Sequence, residues 1–327
     1  MVMRSRCPLR KRLRISLFAL ALPGVAVAAA LFAGRGAHAD GNEADQAAQN
    51  ERCAIRLAIA LQGKSADAAL LGAADPQRTV DAMVASPEFA ERYARFVNSE
   101  FNGGPATSAL EEPVYYLAKY VIANGKPWSD LFVGPYKVVA NATAMDVSAD
   151  PAGLGYFRSP SWMKRYAGNE PQGYMLTASF RILANTTGLT LTPSVGNPGE
   201  DRTTSGRTAG ACRSCHYENW FALDKFARLL PMKKPASDPP TFTPPTEGPQ
   251  QLLGKTLKDD KELVTTLVES DAWRFSQCRT VYQFLYGRPE NMCEVKTFDA
   301  CVDALSNQKT IQSAVAAVAK DASFCGQ

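Results

Sequence analysis

Cys212-Arg213-Ser214-Cys215-His216 carries more chemistry than any other stretch of this chain. Two cysteines separated by two residues, with histidine directly after, form the attachment signature of c-type haem. The spacing has a chemical origin. On one helical turn the two thiols reach the two vinyl groups of a single porphyrin and add to them as thioethers. The imidazole that follows then lies beneath the ring as the proximal iron ligand. Cys212 and Cys215 are thus assigned to covalent attachment of one haem c, and His216 to the iron.

Two other chemistries use paired cysteines. A redox dithiol usually sits at a strand-to-helix junction, whereas Ser205-Gly206-Arg207-Thr208-Ala209-Gly210 upstream reads as loop. A zinc site needs a second ligand pair at similar spacing. Cys53, Cys278, Cys293, Cys301 and Cys325 supply no second Cys-x-x-Cys.

Residues 1–39 read as an export signal. Arg4, Arg6, Arg10, Lys11, Arg12 and Arg14 precede an apolar run from Ile15 to Phe32, and Ala37-His38-Ala39 fits the small-x-small cleavage rule. The run is near spanning length, so a retained anchor is the alternative. Pro23-Gly24 in its middle and the cleavage site favour removal. The segment holds seven of the 36 basic residues and no acidic one, leaving 29 basic against 32 acidic residues. The apparent positive charge vanishes with it, and with it any case for nucleic acid. Of the two histidines, His38 leaves and His216 stays. Ligation by two histidines of one mature chain is therefore excluded.

Helical periodicity dominates the remainder. Helices are expected at 45–62, from Asp75-Pro76, from Ser86-Pro87 to Asn102, and at 110–122, with a short one near Trp128. Residues 135–139 read as extended and 146–160 as loop, followed by helices from Ser159-Pro160, at 173–186 and from Cys212 to Leu230. Residues 231–249 contain seven prolines and suit a semi-rigid connector that either separates two domains or wraps over the first. Helices resume at 258–269, 272–286, 297–306 and 310–320. The fold class is mostly α: a helical cytochrome-c-like haem region embedded in a multi-helix protein with long Pro/Gly-rich loops. Its divisions are the signal 1–39, a helical domain 40–230 ending in the haem-attachment helix, the linker 231–249, and a C-terminal helical, disulfide-bearing segment 250–327. Among the cysteines outside the motif, one arrangement pairs Cys293 with Cys301 and Cys278 with Cys325, leaving Cys53 free; others remain open.

Four segments also carry a family resemblance. They are Val80-Asp81-Ala82-Met83-Val84-Ala85-Ser86-Pro87-Glu88-Phe89-Ala90-Glu91-Arg92, Lys126 to Tyr136, Cys212 to Phe226 ending Phe221-Ala222-Leu223-Asp224-Lys225-Phe226, and Arg279 through Tyr286-Gly287-Arg288. Together, over most of the mature chain, they resemble the secreted domain-of-unknown-function families found alongside cytochrome c domains in planctomycete and myxobacterial proteins. The Asp-Pro that often follows the histidine in those families is replaced here by Tyr217-Glu218-Asn219-Trp220. The resemblance implies an exported, mostly helical haem protein without an established reaction.

Methionine thioether is the expected sixth ligand. Met292, in a loop 76 residues after His216, has the order and distance seen in small soluble cytochromes c. Met163, Met175 and Met232 follow it in rank, and gap-filling in the core is the competing role for each. Arg207, Arg213 and Trp220 are candidates to bind the haem propionates, with ordinary surface roles as the competing reading for the two arginines. A one-electron carrier in a bacterial periplasm or on the cell surface is the expected function, with unidentified redox donor and acceptor proteins and no membrane span after cleavage. A peroxidase or oxidase with an open sixth site is the alternative, demoted because no histidine is left to act as acid or base. The third class is a surface-assembly module whose haem is structural.

Overall fold

The computed structural model describes residues 40–103, 108–191, 199, 201–210, 212–235, 237 and 240–326. The expected signal segment lies outside them. The fold is mostly helical, with three small antiparallel hairpins among the described residues. α1 (Asp40–Leu57) runs into a π-turn at Ala58–Gln62. α2 (Pro87–Asn102) starts where Ser86-Pro87 predicts: Ser86 Oγ accepts from the Phe89 amide at 3.2 Å. Its buried face, Phe89, Tyr93, Val97 and Phe101, recurs at helical spacing and packs on α3 (Pro113–Ala123).

Glu91 locks these two helices together. It accepts from Tyr115 Oη at 2.6 Å and Lys119 Nζ at 2.7 Å on α3, and from Arg95 at 2.5 Å on its own helix. Burial pushes its carboxyl up, but these donors outweigh burial and hold it at about 2.

β1 (Tyr136–Ala140) is the expected extended piece, but its partner β2 (Met145–Ala149) falls largely in the stretch read as loop. A strand with a single buried residue leaves no alternating apolar signature. Asn141 closes the turn by accepting from the amides of Thr143 and Ala144. α4 (Pro160–Tyr166) and α5 (Leu176–Thr187) follow.

The helix expected from Cys212 to Leu230 is broken. One turn at 212–213 opens into a π-turn at Ser214–Glu218, and α6 (Leu223–Ala227) begins only after an interruption. Asn219 causes the break: it turns to extended backbone and its side chain donates to Ser214 Oγ at 2.9 Å. Asparagine competes for such local bonds wherever a helix places it.

The proline-rich stretch wraps back over the first part of the chain. β3 (Met232–Lys233) pairs with β4 (Phe242–Thr243), and the Lys233 amide donates to Gly173 O at 2.9 Å. Gly173, at φ +85°, is needed there, because a Cβ would lie 2.1 Å from Lys233 O. Glu247 accepts from Tyr174 Oη and, at 2.7 Å, from Arg228. The hairpin β5 (Gln250–Leu252) and β6 (Lys255–Leu257) leads into α7 (Asp260–Val268), α8 (Asp271–Tyr286), α9 (Val295–Gln308) and α10 (Ile311–Ala319).

These last helices share one hydrophobic cluster with the first ones. Buried Trp128 donates its indole N–H to Gln277 on α8 at 2.9 Å. The Gln277 amide donates to Asn185 O, and the Asn185 amide donates to Tyr156 Oη. Arg158 donates to Asp260 at 2.6 Å, and Gln77 donates to the carbonyls of Ala319 and Asp321. The expected pairs Cys293–Cys301 and Cys278–Cys325 are not formed. Cys278 faces Cys301 where α8 packs on α9, and Cys53, expected free, is bridged to Cys325 across 272 residues. No helix among the described residues is long and apolar enough to cross a membrane.

Two outcomes are expected. Replacing both Cys53 and Cys325 by serine should cost about 3–5 kcal/mol, because the bridge closes a very long loop in the unfolded chain; unchanged denaturant midpoints would show that packing alone holds the ends. Glu91 contributes stability at neutral pH because its carboxyl is depressed in the folded state. The difference between the wild type and Glu91→Gln should shrink as pH falls below the ordinary glutamate value of about 4.3 and vanish below about 2. Urea midpoints of both proteins at each pH read it directly.

Candidate functional site

Cys212 and Cys215 lie one helical turn apart, both partly exposed, and both thiols are free. Every other cysteine with a described bridge is buried or pinned at the chain's end. The π-turn widens the backbone directly under His216, a distortion frequent at functional sites. It brings the ring to Asp224: His216 Nδ1 lies 2.6 Å from Asp224 Oδ2, and the aspartate side chain is 2% exposed.

The other partners of Asp224 decide the tautomer. Arg207 donates to Oδ1 from Nη2 at 2.9 Å and from Nε, and Tyr217 Oη donates to Oδ1 at 3.1 Å. An acceptor already served by a guanidinium is an ionised carboxylate, so the proton of the His216 bond sits on Nδ1. Burial pushes the Asp224 carboxyl up, yet the bonds from His216 and Arg207 and the guanidinium charge hold it below the ordinary carboxylate range. Nε2 has no hydrogen-bond partner among the described residues, and in the neutral imidazole it is the nitrogen that keeps its lone pair.

Arg207 is itself built in. Thr203 caps the short turn Thr204–Arg207, and Gly206 is required in it because a Cβ would meet Asp201 O at 1.9 Å. Its side chain, 6% exposed, also pairs with Glu170 at 3.0 Å and donates to Arg202 O. Arg207 was expected either to bind propionates or to lie on the surface; it is not on the surface, and its guanidinium serves as counter-ion to Asp224 and Glu170 inside the fold. Arg213 is exposed and paired with Glu218 at 2.6 Å, while Trp220 is 49% exposed.

Met292 is 78% exposed in the loop after α8. Met175 is buried at the start of α5, Met163 is partly buried on α4, and Met232 accepts from Thr246 Oγ1. Among the described residues no group of three or more His, Cys, Asp or Glu is arranged to hold a metal ion. Haem asks less of the chain: two free thiols at this spacing and one imidazole nitrogen with a lone pair, and that donor set is present.

Sequence reasoning missed Asp224 and the counter-ion role of Arg207. The signal was a carboxylate in the run Phe221-Ala222-Leu223-Asp224-Lys225-Phe226-Ala227, apolar apart from it and Lys225, where burial forces it to find partners. Compared with known proteins, the chain matches no family model, no curated protein and no solved structure.

Removing Asp224 leaves the buried guanidinium with Glu170 alone and takes the acceptor from His216 Nδ1 and Tyr217 Oη. Asp224→Ala should cost about 3–5 kcal/mol, whereas Arg213→Ala, at an exposed pair, should cost under about 1 kcal/mol. Equal denaturation midpoints for the two variants would contradict the buried network.

Proposed function

We propose that this chain is an exported mono-haem c-type cytochrome acting in one-electron transfer. Haem c is attached through Cys212 and Cys215, and His216 Nε2 is the proximal ligand. The observation that carries the proposal is the division of the sulfurs. Cys53, Cys278, Cys301 and Cys325 are consumed in bridges, while the Cys-x-x-Cys pair stays reduced beside an imidazole whose Nδ1 is already engaged.

Attachment needs no oxidant. Each S–H adds across a vinyl C=C, forming an S–C bond while the hydrogen goes to the neighbouring vinyl carbon. When bound, the haem supplies an iron centre that takes up and releases a single electron. The chain positions this centre through the Cys212–Cys215 turn, orients the imidazole through Asp224, and keeps Asp224 in place through Arg207 and Tyr217. Buried disulfides suit an oxidising space such as the periplasm or the cell surface. The likeness to secreted families associated with cytochrome c domains belongs to the same proposal, as does a cytochrome-c-like haem region within the helical fold.

A second reading, an enzyme of peroxidase or oxidase type, is favoured by one observation: Met292 is 78% exposed. The ferric spectrum separates the two. A near-infrared methionine–iron band supports the carrier, and a high-spin spectrum answering to cyanide and peroxide supports the enzyme.

Expressed with a cytochrome c maturation system, the protein should be red. It should give a haem c pyridine haemochrome spectrum and weigh one haem more than its mature chain. Cys212→Ala with Cys215→Ala should abolish the covalent mass. A colourless wild type at peptide mass would refute the proposal.

A further inference from the structure

The side-chain hydrogen bond of His216 lies behind it, away from the nitrogen left for iron. Nδ1 donates to a carboxylate at 2.6 Å rather than to a neutral carbonyl. A ligating histidine whose other N–H meets a carboxylate is more basic and a stronger donor than one bonded to a neutral acceptor. The charges around it point the same way. Asp224 and Glu170 are two carboxylates on one guanidinium, Arg207, with side-chain exposures of 2%, 22% and 6%. Of the other charged groups around it, Arg228 pairs with Glu247 and Arg213 with Glu218. The buried triad itself holds two carboxylates to one guanidinium, in a poorly solvated place where charge acts more strongly than in water. Both effects stabilise the oxidised, more positive iron over the reduced one.

We propose that Asp224, clamped by Arg207, is a positioning residue that holds His216 as a strongly donating ligand and sets the haem at a low reduction potential. The inference rests on the haem assignment above and extends it. It places the centre on the electron-donating side of its exchanges, where an acceptor of higher potential takes the electron. Tyr217 is the third member of the set: its hydroxyl donates to the same carboxylate and fixes the oxygen that His216 does not use.

The test measures the midpoint potential of the matured protein by spectroelectrochemistry, with pyridine haemochrome and intact mass as controls. At fixed applied potential, Asp224→Asn should raise the ratio of reduced to oxidised protein at least tenfold, equal to 59 mV or more for a one-electron couple. Asp224→Glu, which keeps the carboxylate, should recover most of the shift. An unchanged midpoint in a haem-loaded Asp224→Asn protein overturns the inference and leaves the haem assignment standing. Because that variant disturbs a buried ion pair, the wild type supplies a second readout. In its ferric cyanide form, the Nδ1 proton of His216 should exchange slowly with deuterated solvent in paramagnetic NMR, shielded by the buried carboxylate. Exchange complete at the first spectrum overturns the inference, whereas a wild type without covalent haem overturns the assignment and this inference with it.

Discussion

A carboxylate taken out of water is a liability of several kcal/mol unless its lone pairs are filled. Asp224 sits at 2% exposure, and the surrounding structure is arranged to fill them. Arg207 arrives on a capped turn made possible by Gly206, Tyr217 reaches over from the π-turn, and His216 completes the set. Glu170 holds the far side of Arg207. The π-turn, the break that Asn219 makes and the short helix Leu223–Ala227 bring these donors to Asp224. A straight helix separates residues eight apart by about 12 Å along its axis, too far for His216 to reach Asp224. Irregular backbone here is how the site is made.

The rest of the molecule supplies rigidity around that site through buried amides. Gln277 bonds Trp128 and Asn185 at once, and Asn185 passes the connection to Tyr156, so three distant segments are pinned by groups that would be costly to leave unpaired. The proline-rich stretch takes part as well. Having few amide hydrogens, it makes few backbone bonds and spends them on Gly173 and on its own short hairpin. Its Glu247 reaches Arg228 and Tyr174, close to the residues that flank the motif.

Much of this was legible in the sequence, and the exceptions have physical causes. Helices with capped starts and repeating apolar faces, such as Pro87–Asn102 and Asp271–Tyr286, follow from local chemistry, and the structure has them close to the expected bounds. The strand Met145–Ala149 was hidden because only Met145 is buried. The cysteine pairing was hidden because sulfur partners are chosen by tertiary approach, which spacing does not encode. In the candidate site, Cys212, Cys215 and His216 were visible because their spacing is set by chemistry local to one turn. Asp224 and Arg207 depend on a fold that brings residues 207 and 224 together around a bend.

The bridge between Cys53 and Cys325 has a temporal side. A polypeptide threaded across a membrane amino end first presents Cys53 long before Cys325, 272 residues further on. In the interval the first new thiols to emerge are Cys212 and Cys215, the two that the proposed haem attachment needs free. Oxidation in order of appearance therefore makes the wrong bond. Reaching the native one takes either a reductant that keeps early sulfurs idle or an exchange catalyst that undoes the first choice. For an exported, haem-bearing chain of the kind proposed, maturation is thus a matter of sulfur scheduling.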